Sequence, residues 1–171
     1  GFLALGLVFY TVKKTGLNIK RNVTVNGNNA VNNLEIAKSD LEAFDFLNAA
    51  DSFALAYDDL NRASGTLSKF GASFVSIFGS LPGFNKVKAA NDLIEVGQNI
   101  SKAGENLALA FGILHRANLF SMMQGGTGQS LPEILREFKD ILIFAGKKIG
   151  DSEKLLASIN ESLIPENKRD L

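Results

Sequence analysis

The sequence predicts an all-α protein, an antiparallel helical hairpin and bundle of long helices that follows a partial N-terminal transmembrane helix. Three observations carry that expectation. From Phe84 to Leu114, apolar or small residues recur at a helical period with no proline between them. The stretch before it, 45–79, sets Phe46, Ala50, Phe53, Tyr57, Leu60, Ser64, Leu67, Gly71, Phe74 and Phe78 at alternating steps of three and four. Knobs-into-holes packing of two helices needs that spacing. The chain also opens with the uncharged run GFLALGLVFYTV, closed by Lys13 and Lys14.

Taken in order, that opening run is shorter than the roughly 20 apolar residues a bilayer crossing requires. Residues 1–14 are therefore expected to be the end of a transmembrane anchor. Phe9, Tyr10 and the two lysines suit a helix emerging through an interface. The competing reading is a short buried helix or strand. A pilin-type start does not fit, because Leu5 stands where such starts carry glutamate. Residues 15–29 are expected to be a linker, since Asn26-Gly27 is a strong turn signal. A helical domain over 30–164 follows, opening with a helix at about 30–43 that places Val31, Leu34, Ala37 and Leu41 on one face.

The two long helices, 45–79 and 84–118, should run antiparallel about the corner Leu81, Pro82 and Gly83, where proline closes one helix and glycine permits the reversal. Gly97 and Gly104 lie seven residues apart on the second helix. Each costs roughly 1 kcal/mol against alanine, so close approach of a neighbouring helix is expected there. SMMQGGTGQS at 121–130 predicts a loop, ended by a capping box in which Ser130 caps and Glu133 reaches back. A helix at 131–149 would bury Ile134/Leu135, Phe138, Ile141/Leu142, Ala145 and Ile149. Gly150 is expected to stop it and Asp151 to cap a last helix, 151–164, with Leu155/Leu156, Ile159 and Leu163 inward. Both should lie on the groove shared by the long pair. Residues 165–171 form a polar tail.

Charge narrows the partners. The 18 basic and 18 acidic residues cancel, but Lys13, Lys14, Lys20 and Arg21 precede the first acid, which leaves the rest mildly acidic. Such a body disfavours nucleic acid. There is no cysteine, so no thiol chemistry. His115 is the single histidine and has no second nitrogen or sulfur donor to share a metal. QGGTGQS lacks the Gly-Lys-Ser/Thr ending of a phosphate loop, and no serine sits in a Gly-x-Ser-x-Gly turn. Asp51, Asp58/Asp59 and Asp92/Glu95 could pair as carboxylates around a cation, yet the Glu-x-x-His pairs of di-iron bundles are absent. These acids read as solvated helix faces. Asn22-Val-Thr24, Asn99-Ile-Ser101 and Asn160-Glu-Ser162 match the glycosylation pattern at a rate chance explains. No catalytic, cofactor or metal residue is therefore assigned, and the chain is expected not to be an enzyme.

GFLALGLVFY, DLEAFDFLNAADSFALAYDDLNRA, SLPGFNKVKAANDLI and EVGQNISKAGENLALAF, within residues 1–112, together resemble an uncharacterised family of bacterial envelope proteins. Members carry an N-terminal membrane anchor followed by long helices and a larger extracytoplasmic part. The resemblance implies a bacterial cell-membrane location with the helical domain extracytoplasmic. The lysine collar alone would favour the opposite orientation. The function expected is a membrane-tethered helical scaffold or protein-interaction module of the cell envelope. Its partners would be the lipid bilayer, through residues 1–12, and a protein partner or second copy, through helical faces. Two alternatives are an accessory subunit of a larger membrane complex, and a metal-dependent bundle enzyme using Asp51, Asp58 and Asp92.

Overall fold

The computed structural model describes the backbone of residues 2–78, 84–116 and 131–159, and side chains mainly within 20–69, 88–115 and 131–159. Among the described residues all regular structure is helical: α1, Phe2–Glu42; α2, Phe46–Phe78; α3, Phe84–Arg116; and α4, Leu131–Ser158. The all-α bundle is as expected, and its arrangement is open. Each helix packs on its neighbour in the chain, while α1 barely meets α3, and among the described helices α4 packs chiefly on α3.

The first helix corrects the reading of the N-terminus. α1 runs unbroken for 41 residues, so the expected linker at 15–29 is helical, Asn26-Gly27 included. Local turn preference loses here to tertiary packing. Val23 and Ala30 press against Leu60, Ala63 and Leu67 of α2, and the helix is held across the pair. No helix among the described residues is long and apolar enough to cross a membrane. The uncharged run ends at Lys13, and Lys14, Asn18, Lys20 and Arg21 follow within the same helix. The anchor at 1–14, the lipid partner at 1–12, the membrane-tethered and membrane-complex roles, and the cell-membrane location with an extracytoplasmic helical domain therefore have no support in the described helices.

Ala43, Phe44 and Asp45 turn α1 into α2. Asp45 N–H donates to Asp40 O (2.8 Å) and Phe44 N–H to Leu41 O (3.0 Å). This six-to-one and five-to-two pair is the Schellman closure of a helix. It needs a left-handed residue, and here that residue is Phe44, at φ 59°. Asp45 then caps α2: its carboxylate accepts from Asn48 N–H (3.3 Å) and from the Asn48 amide (2.7 Å). A side chain at φ > 0 costs roughly 1–2 kcal/mol that glycine escapes. The Phe44 side chain is 69% exposed and gives little back. Phe44→Gly is accordingly expected to stabilise the fold by about 1 kcal/mol, read as a higher denaturant midpoint; an unchanged or lower midpoint would show that its edge contact with Phe46 outweighs the strain.

The helix pairs are held in heptad register. On α2, Ala49, Ser52, Ala56, Asp59 and Ala63 form a buried stripe toward α1. Ser52 Oγ donates to Asp40 (3.3 Å) and Asn33 Nδ2 to Asp59 (3.0 Å), so a step of seven along one helix matches a step of seven back along the other. A second stripe meets α3 in the same way. Phe46 stacks on Phe111 with ring centres 5.9 Å apart. Phe53 covers Gly104 and Leu60 covers Gly97, again at intervals of seven. A β-carbon at Gly104 would lie 2.5 Å from the Phe53 ring, and one at Gly97 would lie 2.8 Å from Leu60. The close approach expected at these two glycines is therefore present. The corner at 81–83 lies outside the described residues.

The last helix differs from expectation. Gly150 does not stop it: α4 is one helix of 28 residues, with Asp151 inside it and paired to Lys154 (3.7 Å). The separate helices at 131–149 and 151–164, laid on a shared groove, are replaced by one rod lying on α3. Ser130, the tail at 165–171 and the loop at 121–130 fall outside the described residues.

Candidate functional site

α4 has two contrasting sides. Its inner seam is Ile134, Phe138, Ile141, Ala145, Lys148, Ser152 and Leu155, continued by Ile159 just past its end, stepping alternately by four and three. Every one of these is buried or half-buried. Phe138 meets Phe111 edge-on at 5.3 Å, and Lys148 Nζ donates to Asn99 Oδ1 at 3.0 Å. The small residues Ala145 and Ser152 bring the middle of α4 close to α3.

On one flank of that seam the α2–α3–α4 surface is polar. A cleft of about 260 Å³ includes Tyr57, Gln98, Asn99, Lys102 and Lys148. A wider groove of about 570 Å³ follows, with Asn106, Glu133, Glu137, Asp140 and Phe144 on its walls. The chemistry available in the cleft is small. Lys102 lies over the Tyr57 ring at 5.2 Å and binds Glu105 at 2.7 Å. That hydrogen bond is the chief reason its ammonium is held above the ordinary lysine value, against the pull of desolvation, so it keeps its proton and is no nucleophile. Gln98 donates to Asn61 across the α2–α3 seam (2.7 Å), as Lys148 does to Asn99 across the next. Among the described residues no buried side-chain nitrogen or oxygen lacks a partner. These groups pin register between helices.

The acids weighed as cation ligands do not converge. Asp51 and Asp58 are exposed on α2, while Asp92 of α3 is buried and bound to Lys88 at 2.6 Å. Asp59 is taken by Asn33 and Arg62, and Glu95 is exposed. Among the described residues no group of three or more His, Asp or Glu could hold a metal ion. The metal-dependent alternative is withdrawn. His115 is exposed at the end of α3, its ring 5.6 Å from that of Phe46. Asn99 is buried, which removes that glycosylation match. The glycine-rich 124–130 lies outside the described residues.

The other flank of α4 is the feature sequence reasoning misplaced. Leu135, Leu142, Ile149 and Leu156, spaced by seven, were expected inside with their neighbours in the chain, yet they are 45–54% exposed. Ile143 is 60% exposed beside them. None of the four lines the polar grooves. The inner seam accepts only one residue of each apolar pair, Ile134 over Leu135 and Ile141 over Leu142, because among the described helices α3 is the one that α4 packs against extensively. The signal was the double width of the α4 stripe; what it lacked was the number of helices available to cover it.

Compared with known protein families, with characterised proteins and with solved structures, the chain matches none. The resemblance to anchored envelope proteins is not supported by a family match, and the membrane-spanning segment it required is absent from the described helices.

Proposed function

We propose that this chain acts by binding rather than by catalysis, as a helical interaction module that presents the outer flank of α4 to another protein surface. One observation carries the reading. A helix of 28 residues is seated on α3 by a single narrow seam and leaves Leu135, Leu142, Ile143, Ile149 and Leu156 in contact with water. An apolar stripe of that length along an otherwise well-packed helix marks an interaction surface. It has the heptad spacing by which one helix receives another. The polar cleft offers no competing chemistry, since Lys102 is held by Glu105, Lys148 by Asn99 and Gln98 by Asn61.

The test places a photoreactive residue at Leu142 of the full chain, with Asp58 on the exposed side of α2 as control, in the cells that make the protein. Protein adducts from position 142 that are missing from 58 are expected. No adducts at 142, or equal yields at both, would remove the reading.

A further inference from the structure

Resting on that reading of the α4 flank, we infer that its occupant is a second copy of this chain, docked antiparallel through α4 about a two-fold axis at Gly146. The flank is self-complementary. Around Gly146 the order is Leu135, Lys139, Leu142, Gly146, Ile149, Glu153, Leu156. Turned end for end about that glycine, Leu142 lies level with Ile149 and Leu135 with Leu156, to within a residue. Lys139 falls opposite Glu153. Because the operation is two-fold, both charge pairs form at once, one on each side of the axis. Lys139 and Glu153 are exposed and make no ion pair among the described residues. A parallel arrangement would instead place lysine on lysine and glutamate on glutamate, so charge selects the antiparallel one.

The glycines point the same way. Gly97 and Gly104 are covered by Leu60 and Phe53, whereas Gly146 and Gly150, like Gly27 and Gly65, have nothing within 4 Å of a β-carbon position; what sets Gly146 apart is its place midway between Lys139 and Glu153 on the apolar flank. Two uncovered glycines inside a helix lower its stability with no contact in the chain to offset them. At the centre of a helix pair they let the backbones approach closely, as Gly97 and Gly104 do within the chain.

Sedimentation equilibrium of the full chain tests this. The expected mass is twice the 18.4 kDa of one chain, falling toward one chain on dilution. Lys139→Glu or Glu153→Lys alone should weaken dimerisation at least roughly tenfold, since each places like charges together twice. The double reversal should restore it. Gly146→Cys should give a disulfide-linked dimer on oxidation. Lys139→Cys should not, because its two copies lie about 21 Å apart along the axis, beyond disulfide reach. A chain monomeric at every concentration overturns the inference, as does a dimer indifferent to all three charge variants or one that crosslinks at 139 and not at 146. A monomer whose position 142 still captures a different protein would overturn self-pairing alone and leave the binding role of α4 standing.

Discussion

Replacing Phe53 by alanine is expected to lower the unfolding free energy by about 3–5 kcal/mol. Phe53 is the only large side chain in its buried cluster, among Ala37, Ala49, Ala50 and Ala108, with Leu34 and Leu41 partly buried around it. Its ring also roofs Gly104. Three helices thus meet on one phenyl group, and none of its small neighbours can extend to fill the space it leaves. Domains of this size are typically stable by about 5–15 kcal/mol, so the loss is a large fraction of the whole. Urea denaturation followed by circular dichroism measures it. Phe53→Leu, which keeps much of the volume, should cost less than about 1.5 kcal/mol. A loss below about 1 kcal/mol for the alanine variant would mean the cluster collapses freely and the register is not held there.

Gly104→Ala is expected to destabilise by about 1–3 kcal/mol, although alanine is the better helix former by about 1 kcal/mol. The added methyl would meet three atoms of the Phe53 ring at 2.5–2.7 Å, and that ring is itself buried. Either the ring leaves its rotamer or α2 and α3 move apart. The control is Gly65→Ala on the same hairpin, where nothing lies within 4 Å. There only propensity acts, and a gain of about 0.5–1 kcal/mol is expected. Opposite signs for two identical substitutions separate packing from propensity. Equal gains would show that the contact at Gly104 yields without strain. Combining Gly104→Ala with Phe53→Leu should recover part of the loss, since the smaller side chain vacates the clash.

These two sites also show how much was legible beforehand. The stripe from Phe46 to Leu67 and its partner through Gly97 and Gly104 could be read because apolar spacing and an otherwise costly glycine pair point to the same neighbour. The geometry of the α1–α2 corner was not legible, since nothing in Ala43-Phe44-Asp45 announces that a phenylalanine will take the left-handed position. α1 was misread through its composition. Uncharged residues up to Val12 suggested lipid, yet no described helix is long and apolar enough to cross a membrane; Asn26-Gly27 suggested a turn, whereas the packing of Val23 and Ala30 in the cluster shared with α2 holds the helix on either side of it. α4 was misread for a geometric reason. Pairs such as Ile134/Leu135 and Ile141/Leu142 announce a wide apolar stripe but not how many helices cover it. The absence of catalytic machinery was an expectation from residue types, and it stands as part of the proposed binding role.

Within one chain, the outer flank of α4 is uncovered. Because the protein has no cysteine, single cysteines at 142, 145, 149 and 152 report on it directly. Their reaction with a thiol reagent is to be timed on native protein dilute enough to be monomeric. Cysteines replacing Leu142 and Ile149 should react at close to the rate of an unfolded chain. Those replacing Ala145 and Ser152, buried against α3, should be slowed by orders of magnitude. Equal protection at all four positions would mean that another part of the chain covers the flank, and would contradict the claim.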